Sequence, residues 1–186
     1  DIPLYMDQVT TFMETKLKSS KRNEEDKILT KTMINNYAKN GLLPSPEKKK
    51  YSKEHLLLLI FIYYFKNILS INDIQTLLSP ITEKYFQTDN DFDLTTIYME
   101  VFGMEHSQIE YLKKDLLKRY NIADQTFQDA PSEDQKFLQQ FSFICLLSFD
   151  VYCKKLLIEK IIDGMVPPEH THGKEKKNKS KNTPKI

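Results

Sequence analysis

The chain is short of the residues that most enzyme motifs need. Only four glycines occur in 186 residues, and none forms a loop that could cradle phosphate. There are two cysteines and no Cys-x-x-Cys. No nucleophile motif is present, and no pair of carboxylates is pinned by spacing. The expectation is a protein that is not an enzyme and takes no cofactor. No apolar stretch is long enough for a bilayer. The longest, Leu56 to Phe65, is ten residues, where a span takes about 20. No signal peptide opens the sequence, so a cytoplasmic location without membrane contact is expected. Cys145 and Cys153 fall in one helical pattern, about 12 Å apart, too far for a disulfide. They read as reduced core thiols.

Charge is balanced overall, at +1, and unevenly spread. Residues 1–82 hold 12 basic and 9 acidic side chains, residues 83–166 hold 9 and 15, and residues 167–186 hold 6 and 2. A basic head on an acidic body predicts that only the head meets a polyanion. From Lys27 to Lys53 there are seven lysines against one acid, Glu47.

The segment from Thr30 to Leu78 organises the head. Thr30 reads as the N-cap of a helix, and Gly41 as its stop. On that helix Thr32, Asn35, Asn36 and Lys39 recur at i, i+3, i+4 and i+7, forming one acid-free polar face. Ile34 and Ala38 lie opposite, with Met33 and Tyr37 at the edge. Such a helix can dock on a core and lie in a nucleic-acid groove, where asparagine reads adenine edges. Pro44 and Pro46 end the helix, and Leu42 and Leu43 anchor the chain to the core. Lys48, Lys49 and Lys50 then make a tight turn, flanked by very short strands, suited to gripping phosphate.

Ser52 caps a helix over 52–67 that is apolar all round and therefore central. Ser70, with Asp73 at the capping-box position, starts the next helix, whose inner face is Ile71, Ile74, Leu77 and Leu78. Before these, residues 1–17 read as a helix with a stripe of Ile2, Tyr5, Val9, Phe12 and Met13. Residues 18–27 read as an exposed loop or a frayed helix end.

This combination resembles the DNA-binding domain of MerR-type transcription regulators. The matching parts are Tyr37, then Gly41-Leu42-Leu43-Pro44-Ser45-Pro46, then Tyr51-Ser52, then Ser70 to Leu78. The run Leu-Thr-Lys-x-Met-Ile-Asn-Asn-Tyr at 29–37 is similar to an uncharacterised bacterial family, domain of unknown function 1836. The resemblance implies a MerR-like winged helix-turn-helix and brings no established activity. Asn35 stands where MerR proteins carry a phosphate-contacting arginine, and Asn36 where they carry the first of two tyrosines. The wing is cut to Glu47-Lys48-Lys49-Lys50.

In the second half, Pro80 and the acidic run 89–93 mark a boundary. Helices are expected over 94–102, ending near Gly103, and over 105–120, with a loop at 121–131. Ser132 and Gln135 then cap a long helix to about Asp163. That helix carries more bulky apolar residues than one stripe holds and must be enclosed by its neighbours or by a second copy of the chain. Asp89, Asp91, Asp93 and Glu100 match calcium-loop positions 1, 3, 5 and 12, but Leu94 replaces the glycine needed at position 6. Asp93 reads as a helix cap instead. His55 and His106 sit near helix starts and read as structural. His170 and His172, in a tail over 167–186 expected to be disordered, lack partner ligands, so no metal site is assigned.

The fold class expected is all-α or nearly so: a head over 1–82, a helical domain over 83–166 and the tail. The function expected is sequence-specific binding of double-stranded DNA through Thr32, Asn35, Asn36, Tyr37, Lys39, Lys48, Lys49 and Lys50, in a homodimer joined by the C-terminal helices. The alternative is a non-catalytic protein-interaction module that keeps the fold without DNA binding.

Overall fold

The computed structural model describes residues 2–165, with backbone alone at 105–107. It is mostly α-helical. Strand β1 (Leu4–Tyr5) leads into α1 (Met6–Lys16), followed by a 3-10 turn at Lys18–Ser20 and α2 (Lys31–Lys39). Strand β2 (Lys50–Tyr51), α3 (Lys53–Phe65) and α4 (Ile71–Tyr85) complete the head. Two long helices come next, α5 (Leu94–Asp124) and α6 (Ser132–Met165). The strands pair antiparallel, Leu4 with Tyr51 and Tyr5 with Lys50. Among the described residues no helix is long and apolar enough to cross a membrane, and no group of His, Cys, Asp or Glu could hold a metal ion.

Helix α3 is the centre of the core. Leu57, Leu58, Leu59, Phe61, Ile62 and Tyr63 are all buried. Val9 and Met13 of α1, Ile34 and Tyr37 of α2, and Ile74 and Leu78 of α4 belong to the same cluster. Each such aliphatic side chain contributes roughly 1.5–3 kcal/mol over exposure. The cluster does not stop at the head. Leu94 of α5 and Ile162 of α6 belong to it, and Phe61 packs against Tyr98 and Phe102 with ring centroids 5.9 and 5.5 Å apart. The boundary expected at 82/83 therefore falls inside α4, and the ends of α5 and α6 seal the core.

Several helix limits differ from expectation. Residues 2–5 are not helical, and Ile2 and Tyr5 are exposed rather than part of the α1 stripe. Leu4 and Tyr5 pair with β2 instead, and the Gln8 side chain accepts from the Tyr5 N–H at 2.8 Å. Pro80 lies within α4 rather than ending it. The helix is by then nine residues long, started by a complete Ser70/Asp73 capping box, and Ile81 beyond the proline still packs on the core. That packing offsets the roughly 3 kcal/mol an interior proline costs. Ile71, expected on the inner face, is exposed. Gly103 does not divide α5, because glycine alone costs a helix only about 1 kcal/mol. Ser132 is not the cap of α6. The Pro131 carbonyl accepts from Asp134 and Gln135, while the Ser132 hydroxyl faces Glu133. Cys145 is half-buried and Cys153 exposed, so neither is a core thiol. Residues 166–186, with His170, His172 and the expected tail, lie outside the described residues, as does the His106 side chain.

Two local devices fix the middle of the head. Gly41 has φ +70°, and the Leu42 and Gly41 amides donate to the Tyr37 and Ala38 carbonyls at 2.9 and 3.2 Å. This is a Schellman stop, and buried Leu42 and Tyr37 supply its apolar contact. His55 occupies the capping-box position of α3. Its Nδ1 accepts from the Ser52 N–H at 3.0 Å, so Nε2 carries the hydrogen. The ring is buried edge-on to Tyr51 and Phe86. Nε2 faces the Pro44 and Ser45 carbonyls without a hydrogen bond of normal geometry. Burial lowers the imidazole pKa, and those two carbonyls only partly offset it.

Two outcomes are expected. Gly41→Val should lower stability by roughly 1–2 kcal/mol, because valine meets a left-handed backbone. An unchanged melting temperature would contradict the assignment. A histidine whose folded pKa lies below the unfolded value of about 6.5 stabilises above that pH, and the contribution falls as pH drops. Protonation would also turn Nδ1 into a donor facing the Ser52 donor. The melting temperature should therefore fall between about pH 7.5 and 5.5, with a shallower fall in His55→Gln. Equal slopes in both proteins would exclude His55 as the source.

Candidate nucleic-acid interface

Helix α2 is held from behind and polar in front. Thr30 accepts from the Met33 N–H at 3.2 Å and sets its start. Ile34 is fully buried and Tyr37 nearly so. These two lock the rotation of the helix, leaving Thr32, Asn35, Asn36 and Lys39 exposed together. No acid lies within α2. The four residues expected to share a face do share it.

Tyr37 is the exception among the candidate contacts. Its side chain is 6% exposed, and burial raises its hydroxyl pKa. It is a core residue and a wall of the Schellman stop rather than a surface contact. The helical wheel puts it at the edge, and the Leu42–Leu43 anchor folding back over it closes that edge.

The lysine turn has an unusual backbone. Lys48 and Lys49 have φ +48° and +64°, and the Lys50 N–H donates to the Glu47 carbonyl at 2.8 Å. Both central residues of this tight turn are left-handed, a conformation for which Asn-Gly is the ordinary choice. Lysines there cost on the order of 1 kcal/mol each. Both side chains are exposed at the tip. Lys50 is one step back in β2, its Nζ 5.4 Å from the Tyr5 ring centroid. The lysine trio is thus two exposed charges at the tip and one resting on an aromatic face.

Helix α1 contacts α2, β1 and β2, so the polar helix and the lysine turn are mounted on one support. No hydrogen bond or ion pair among the described residues joins them directly. Sequence reasoning missed a shallow groove of about 520 Å³ between α1 and the start of α2, lined by Thr10, Thr11, Glu14, Lys27, Lys31 and Thr32. Lys31 there is ion-paired with Asp7, and Glu14 with Lys21. The Glu14 carboxyl pKa is lowered, chiefly by Lys21. The groove could not be read from spacing, because it joins residues some twenty positions apart across a charged loop.

The arrangement offers amide and hydroxyl groups on a rigid helix and two exposed cations at a turn. His55, the one buried polar or charged side chain among the described residues, faces inward.

A family model, Domain of unknown function (DUF1836), matches residues 1–101, from β1 into α5. No curated protein and no solved structure matches the chain. The match takes in the head and the first two turns of α5, with Leu94 and Tyr98, more than half of the sequence. By that match the chain belongs to the family named for the domain of unknown function DUF1836.

Proposed function

We propose that the protein is a sequence-specific DNA-binding transcription regulator of MerR-like type, non-catalytic and cytoplasmic. The observation that carries this reading is the acid-free exposed face of Thr32, Asn35, Asn36 and Lys39 on a helix whose rotation is fixed by Ile34 and Tyr37. Asn35 and Asn36 would read base edges in the major groove, and Lys39 would meet the backbone. Lys48 and Lys49 would reach phosphate. The strained turn supports this role, since an uncharged Asn-Gly pair would fold more easily at that place. The resemblance to MerR proteins over Tyr37 and Gly41 to Pro46 points the same way.

A second reading is a protein-interaction module. The exposed apolar surface of α5 and α6 favours it, as do Asp7 beside Lys31 and the asparagine at position 35. Affinity as a function of salt separates the two, because phosphate contacts release counterions.

Asn36→Ala should cost roughly 1–3 kcal/mol on the preferred site and much less on unrelated DNA. Equal weakening on both would contradict base reading by Asn36. Lys48→Asn with Lys49→Gly should act oppositely on folding and binding. The melting temperature should rise, by a stabilisation on the order of 1 kcal/mol, as strain is relieved. DNA affinity should fall on all sequences alike, with the salt slope reduced by about 0.9 for each phosphate that the turn no longer neutralises. Higher stability with unchanged affinity would remove the turn from the interface.

A further inference from the structure

One ion pair of the head stands at the edge of the polar face of α2. Lys31 opens that helix and falls at i, i+4 and i+8 with Asn35 and Lys39, on one ridge. A lysine thus lies at each end of the ridge, about 12 Å apart along the axis. The two differ. Lys39 is exposed and makes no ion pair among the described residues. Lys31 is paired with Asp7, in the first turn of α1. Lys31 also lines the α1–α2 groove beside Thr32, the first residue of the polar face.

Helix α1 has two acids, and they serve differently. Glu14 pairs with Lys21 and accepts from the Ile28 amide at 3.4 Å, so it ties the segment between α1 and α2 to α1. The Asp7 carboxylate has Lys31 alone as its partner among the described residues. Both side chains of that pair are more than half exposed. Such a pair does little for stability and opens readily. The positive end of α1 favours an acid at position 7 but does not require one that reaches across to α2.

We propose that Asp7 is an internal competitor for phosphate: in the free protein its carboxylate holds the place on Lys31 that a backbone phosphate of DNA takes in the complex. The inference rests on the DNA reading above and adds to it one further contact, Lys31, and one residue that opposes binding. A carboxylate and a phosphodiester are both anionic oxygen acceptors, and an ammonium group meets either as a point charge. As DNA enters, the pair with Asp7 opens and the pair with phosphate forms. The freed carboxylate is left close to the DNA backbone and repels it. Both effects weaken binding on every sequence alike, because neither touches a base edge. The segment from Lys27 to Lys53 holds seven lysines against one acid. Asp7, from outside that segment, restrains its grip on DNA of any sequence.

Salt titrations of the full chain on a random-sequence DNA duplex test it. Asp7→Asn should bind more tightly than wild type, by roughly three- to tenfold at about 0.1 M salt. Its salt slope should steepen by about 0.9, because Lys31 then releases a counterion on binding instead of exchanging one anion for another. In a Lys31→Ala background the same substitution should bring only a small part of that gain, since the carboxylate has no cation left to withhold. In a Lys39→Ala background the gain should persist in full. The melting temperature should stay near that of the wild type throughout, because these side chains are exposed. If Asp7→Asn disturbs α1, Asp7→Ser removes the same charge and carries the same expectation. Unchanged affinity in Asp7→Asn, or an equal gain with and without Lys31, overturns the inference. If the Lys48 and Lys49 changes still flatten the salt slope in that case, the DNA reading survives it. Wild type and Asp7→Asn both failing to bind the duplex at low salt would overturn the two together.

Discussion

Helix α3 has no polar face to give to water. A helix that is apolar on every side must be enclosed, and everything else in the head is arranged to do that. Helices α1, α2 and α4 contribute Val9, Met13, Ile34, Tyr37, Ile74 and Leu78 to the enclosure. They do not finish it. Leu94, Tyr98 and Phe102 of α5 close one side, and Ile158 and Ile162 of α6 add to the cover. The family match ends at 101, after Leu94 and Tyr98 have reached the core. The match thus reaches past the head into the enclosure, while Phe102, Ile158 and Ile162, which also pack on the core, lie beyond it.

The same enclosure sets the orientation of α2. Ile34 and Tyr37 must point inward, and the Schellman stop at Gly41 turns Leu42 and Leu43 back under the helix. The side chains left outside are decided by the 3.6-residue period: Thr32, Asn35, Asn36 and Lys39. The proposed DNA face is a by-product of core packing in its placement, and a choice of the sequence only in its chemistry. The lysine turn differs. Its backbone costs stability where a common alternative would not, so packing alone does not account for Lys48 and Lys49.

Much of this is legible in the residues. Caps at Thr30, Ser70 and Asp93, and the glycine stop at 41, are local chemistry, and each appears where its residue type predicts. The exposed quartet on α2 follows from period alone. The helical wheel misplaces Tyr37 because it cannot see the Leu42–Leu43 segment that folds over it. Pro80 and Gly103 look like breaks because local cost is visible in sequence and tertiary compensation is not. The N-terminal strand looks like helix because Ile2 and Tyr5 fit the helical period, while the pairing of Leu4 and Tyr5 with Tyr51 and Lys50 depends on contacts some 45 residues away. The surplus of apolar residues on α6 is legible too. Which of them face outward is decided only when α5 takes one side.

In the proposed reading the polar face of α2 and the lysine turn meet DNA while α5 and α6 do not. Backbone amide shifts of the full chain, followed by NMR as its preferred DNA fragment is added, separate the two surfaces. Changes should concentrate at Thr32, Asn35, Asn36, Lys39, Lys48 and Lys49, with the outer face of α6 silent. Changes confined to α5 and α6, or none at α2 under saturating DNA, would contradict it.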